Sequence, residues 1–119
     1  MKALHFTLIF IMMVPVGTLT HESAHWITAR YFGNHTELHY ASVSYHGETQ
    51  KKFLEVIEAY SIDGDSWSQE QKQSYKSAVR NYILEGKAIT LSGPLQTLLT
   101  GLIGCLILLI RRKSHLNGI

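Results

Sequence analysis

Cysteine is almost missing from this sequence: Cys105 is the only one in 119 residues. One thiol cannot close a disulfide or build a cysteine-based zinc knuckle within one chain, so both frameworks are excluded. Cys105 lies inside an apolar run, where it reads as a packing or lipid-facing residue. Net charge is small too, +2 at neutral pH, and no basic patch is interleaved with aromatics, so no nucleic-acid partner is expected. Internal repeats and low-complexity tracts are lacking. The most informative absences are local. Residues 3–20 and 88–110 hold no Asp, Glu, Lys or Arg, and no acidic residue follows Glu85.

What fills those uncharged stretches is hydrocarbon. The second, "AITLSGPLQTLLTGLIGCLILLI", has 23 residues. As a helix it would reach roughly 34 Å, against a bilayer core of about 30 Å. It ends at Arg111, Arg112 and Lys113, a basic stop suited to a membrane surface. The first run, from Ala3 to Thr20, is just long enough to cross. It reads as a retained span, with Pro15 loosening its backbone one to two turns before His21. A signal peptide cleaved after Gly17 is the competing reading; it would cut the following motif from its first helical turns. The expected class is therefore a mainly α integral membrane protein with two spans. A single domain divides into a first membrane helix over 3–32, an extramembrane loop over 33–87, a second membrane helix over 88–110 and a basic tail over 111–119. Orientation stays open: seven Lys and Arg lie between the spans and four at the ends.

The loop carries its own pattern. "ELHYASVSY", 37–45, partly alternates and predicts a strand, with a hairpin turning near His46 and Gly47. "KKFLEVIEAYS" sets Phe53, Leu54, Ile57 and Tyr60 at helical spacing. "IDGDSWS" reads as a turn, and its Asp63 and Asp65 lack the remaining ligands of a calcium loop. Ser68 with Gln71 forms a capping box before an amphipathic helix striped by Tyr75, Ala78, Val79, Tyr82 and Ile83, which Gly86 is expected to close.

Directly behind the first apolar run stands "HESAH". On a helix, His21 and His25 are four residues apart on one face, so both imidazoles can share a Zn²⁺. Glu22 is about 100° round and can reach a water without ligating the metal. These residue types in this order suit metal-assisted hydrolysis, with His21 and His25 as ligands and Glu22 as general base. Ionisable groups at membrane depth are costly, which makes them functional candidates. A catalytic zinc takes three protein ligands, and the soluble patterns do not supply the third. A metzincin would need Gly at Thr28 and His at Tyr31. An ExxxD helix fails at Glu55, Glu58, Glu70 and Glu85, which are followed four residues on by Ala59, Ile62, Ser74 and Ile89. His35, His39, His46, Glu48, Glu55 and Glu58 are the other donors in the loop.

Taken in order, these segments resemble the site-2 proteases, intramembrane zinc metalloproteases. His21, Glu22, His25, Ala29, Arg30 and Gly33 fall in the register of the family's first core helix. "ELHYASVSYHG" sits where its β-hairpin follows, and "LSGPLQTLL" resembles its AGPLxN segment through Gly93, Pro94 and Leu95. The resemblance spans helix, loop and helix. It implies a zinc-dependent endopeptidase cutting membrane-embedded protein substrates, with Gly93, Pro94 and Thr97 in the substrate-binding segment. Two departures stand out. Thr97, with Gln96 beside it, replaces the usual Asn, and the third core helix with its Asp-Gly ligand motif is missing before Ile119. The expectation is thus a family member truncated before its third core helix, its third ligand coming from a missing segment, a loop residue or another subunit, including a second copy. A truncated, non-catalytic membrane binding protein of the same family is the alternative.

Overall fold

The computed structural model describes the backbone of residues 2–63 and 66–116, and the side chains of 3–62 and 66–112. Helix α1 runs from Lys2 to Tyr31 and contains Pro15. Thr7, Thr18 and Thr20 turn their hydroxyls back onto the carbonyls of Ala3, Val14 and Val16 at 2.9–3.1 Å. Such back-bonding satisfies each hydroxyl within the helix itself. Gly33 ends the helix. Its φ of 80° is left-handed, and it lets the Asn34 N–H reach back to the Ala29 carbonyl at 3.1 Å.

A two-stranded antiparallel hairpin follows, β1 (His35–His39) and β2 (Ser42–His46), with His35 opposite His46 and His39 opposite Ser42. Its turn is Tyr40–Ala41, not His46–Gly47 as the alternation suggested. Ala41 adopts a φ of 60°, a conformation that normally asks for Gly or Asn, so the sequence carried no turn signal there. Helix α2 (Glu48–Asp63) begins at Gly47, whose carbonyl accepts from the Lys51 N–H at 3.1 Å. The turn expected over 62–68 is only partly visible: Ile62 and Asp63 extend α2, and residues 64–65 lie outside the described residues.

Helix α3 runs without a break from Gln69 to Leu116. The capping box forms as read, with the Ser68 N–H donating to Gln71 Oε1 at 2.8 Å and the Gln71 N–H to Ser68 Oγ at 3.3 Å. Gly86 does not close the amphipathic helix. A terminating glycine needs a left-handed φ, and Gly86 lacks one, so the loop helix and the second apolar run are one element. The helix is unbroken across residues 87 and 88, and Arg111 and Arg112 continue it.

Packing is confined to the middle of the molecule. α2 lies antiparallel on the first half of α3 through aromatic pairs. Phe53 stacks on Tyr82 with centroids 4.1 Å apart, and Tyr60 on Tyr75 at 4.6 Å, with Trp67 at the edge of both tyrosines. α1 meets α3 where Ala29 and Ile89 are fully or almost fully buried and Gly93 is buried. Beyond that contact the helices expose their hydrocarbon. Large apolar residues from Leu4 to Val16 are 49–73% exposed, and those from Leu98 to Ile110 49–68%. Both helices are long and apolar enough to cross a membrane.

Candidate metal centre

The α1–α3 contact is built around the two motif histidines. His21 and His25 project from one face of α1, and their rings meet edge to face with centroids 4.9 Å apart. Their Nε2 atoms stand 3.2 Å apart. α3 approaches them with Gly93, and only glycine fits. A β-carbon at 93 would lie 2.5 Å from His21 Nε2 and closer still to His25 Nε2.

Each imidazole is held from behind. The Ile89 carbonyl can only accept, so the contact with His25 Nδ1 fixes the proton on that nitrogen. Ser92 Oγ also donates to the Ile89 carbonyl, at 2.6 Å, and lies 3.2 Å from His25 Nδ1. His21 Nδ1 is 2.9 Å from Thr97 Oγ1. The Thr97 hydroxyl donates to the Gly93 carbonyl at 3.2 Å, leaving its lone pairs to accept from His21 Nδ1–H. With both protons on Nδ1 the two rings would present unprotonated Nε2 atoms to one point; with the His21 proton on Nε2, the 3.2 Å contact is a hydrogen bond between the rings.

These features fit a zinc ion. Two nitrogens each at 2.0–2.1 Å in tetrahedral geometry would be about 3.3 Å apart. The α3 backbone passes close to both Nε2 atoms at Gly93, where any β-carbon would overlap them. Backing of the far ring nitrogen by a carbonyl or hydroxyl is the usual way a metal-binding imidazole is oriented. Glu22, half-buried and one residue round the helix, has no hydrogen-bond or ion-pair partner among the described residues. Pro94 is exposed and acts through the backbone, since it has no N–H to return to the Thr90 carbonyl.

The remaining sequence candidates are elsewhere. His35 and His46 face each other across the hairpin and line a shallow pocket with Glu48, and His39 sits 3.8 Å from Glu37. Among the described residues, no three His, Cys, Asp or Glu side chains converge as a metal-binding group. Ser92 and the Ile89 carbonyl were not singled out by sequence. A carbonyl leaves no signature, and Ser92 is distinguished only by preceding Gly93-Pro94.

A second polar contact, also unread from sequence, locks the helix ends. Asn34, 3% exposed, donates through Nδ2 to the Ala29 carbonyl at 3.1 Å and to Glu85 Oε1 at 2.7 Å. Gly47 leaves the room that Asn34 occupies. Nearby, burial pushes the Tyr45 phenol above its ordinary range, with Tyr82 and Glu85 adding to the effect. No family model, curated protein or solved structure matches this chain.

Proposed function

We propose that this chain is an integral membrane protein with two spans and that it is a zinc-dependent endopeptidase acting on membrane-embedded protein substrates. One observation supports the reading: two imidazoles, each contacted on its Nδ1 side, bring their Nε2 atoms to 3.2 Å from one another beside Gly93, where no larger residue fits. His21 and His25 would hold the metal. Zinc supplies a Lewis acid for the scissile carbonyl and an acidified water when bound. Thr97, Ser92 and the Ile89 carbonyl keep the rings oriented. Glu22 is the base: its partner-free carboxylate takes the proton of the attacking water. The site lies near one end of both apolar segments. Gly93 is five residues into the uncharged stretch that begins at Ala88, roughly 8 Å along the helix. A polar cavity at that depth suits a substrate that is itself a membrane segment.

The third zinc donor, on this reading, comes from outside the described residues. The two-donor set also favours a second reading, a membrane binding protein without catalysis, in which the Gly93–Thr97 segment of α3 holds a transmembrane partner. Cleavage of a membrane-embedded test substrate by the reconstituted protein separates them. Wild type is expected to cleave and Glu22→Gln to lose at least a hundredfold in rate, with zinc still bound. Equal rates in the two proteins would refute the endopeptidase; absence of cleavage with intact partner binding would establish the second reading.

A further inference from the structure

The face of α3 turned away from the metal centre has a chemistry of its own. Glu85, Ile89 and Gly93 point inward, to Asn34, His25 and the imidazole pair. At 100° per residue, Lys76, Arg80, Ile83 and Lys87 fall on the opposite side. There they line a shallow groove floored by Val79 and Leu84. A second shallow groove continues it downward past Gly86, Thr90 and Leu91, sharing Ile83 and Lys87. The combined surface mixes cations with Ile83 and Leu84 in its upper part and is apolar at its base, at Leu91. Ile83, Leu84 and Leu91 are 46–55% exposed on it.

The charges on this face are uncompensated. Among the described residues, none of Lys76, Arg80 and Lys87 has an ion-pair partner. The one acid between 75 and 91 is Glu85, on the far side and bonded to Asn34. The axial spacing also matters. Lys87 is the last charge before the uncharged stretch that begins at Ala88. Arg80 lies about 10 Å above it on the helix and Lys76 about 16 Å. The headgroup layer outside the hydrocarbon core is about 5–7 Å deep on each side. Lys87 and Arg80 thus bracket that layer, and Leu91 lies below it.

We propose that this face binds an anionic phospholipid, its phosphate held between Arg80 and Lys87 at the level of Ile83 and an acyl chain running down past Leu91. The inference rests on the membrane placement proposed above and not on the endopeptidase. A neutral lipid would leave two cations unmatched. Free phosphate would leave the apolar base unused.

The full chain is reconstituted into phosphatidylcholine bilayers containing phosphatidylglycerol, and association of spin-labelled versions of each lipid is compared. Wild type is expected to favour phosphatidylglycerol by roughly five- to thirtyfold, from about 1 kcal/mol per cation at the surface less salt screening. The R80Q/K87Q double variant is expected to lose this preference. K51Q/K52Q, which removes two charges from α2, is expected to keep it. Excess inorganic phosphate at fixed ionic strength is expected to change nothing. Absence of preference in wild type, its survival in R80Q/K87Q, its loss to inorganic phosphate, or failure of the chain to enter the bilayer would each overturn the proposal.

Discussion

At the scale of single residues, the proposed chemistry depends on one glycine and two supports. Gly93 is needed because any β-carbon there would overlap the two Nε2 atoms. Thr97 and Ser92 matter for orientation only. The Ile89 carbonyl favours the proton on His25 Nδ1, and the Thr97 and Ser92 hydroxyls hold the rings in place. Gly93→Ala is therefore expected to abolish zinc binding, and Thr97→Val to weaken it by about 10- to 100-fold, the usual cost of losing a backing hydrogen bond. Zinc competition titration against a chromophoric chelator measures both, with circular dichroism reporting whether each variant keeps its helices. Unchanged affinity in a folded Gly93→Ala protein would refute the arrangement. Thr97 stands where the family resemblance calls for Asn. Its contact with His21 gives that position a use here, and the contact is a property of this chain.

At the scale of elements, α3 is the organising piece. One uninterrupted helix carries the aromatic face for α2, the Glu85 anchor, the glycine against the histidine pair and the second apolar run. Asn34 couples it to the end of α1, and breaking that link is expected to cost about 1–3 kcal/mol, because the Glu85 carboxylate would lose its buried partner. Thermal unfolding of Asn34→Ala in detergent is the check; a midpoint equal to wild type would show the link to be idle.

Much at this scale was legible. The one-face placement of His21 and His25, the Ser68–Gln71 box and helix α2 rest on local periodicity and capping chemistry and appear where the spacing put them. Of the α2 stripe, Phe53 and Tyr60 stack on α3, while Leu54 and Ile57 are exposed. Two features were not legible, for physical reasons. The hairpin turns at Tyr40–Ala41 because tertiary structure holds Ala41 at a φ that its side chain does not favour. Helix α3 passes through Gly86 because a glycine stops a helix only when its φ turns positive, which composition alone does not reveal. The partners of the imidazoles were hidden for a different reason: they are 64–76 residues away in sequence, and one is a carbonyl.

At the scale of the whole molecule, the form is an elongated body of 79 × 29 × 20 Å, with its packed region between two exposed apolar arms. In water, so much contiguous hydrocarbon surface would drive association. In a bilayer it would be the ordinary outer surface of two spans. This shape puts the histidine pair where the arms meet the packed region, at the edge of hydrocarbon rather than in open solvent. Among the described residues no third His, Cys, Asp or Glu joins the pair, so on the proposed reading a third donor comes from outside them. The account stands or falls on whether His21 and His25 hold zinc together. The direct measurement is metal content and zinc X-ray absorption of the chain, purified from membranes without a histidine tag. The account predicts one zinc per chain bearing two imidazole nitrogens at about 2.0–2.1 Å, lost in the H21Q/H25Q double variant. Zinc-free wild type after zinc loading, or zinc retained unchanged in the double variant, would contradict it.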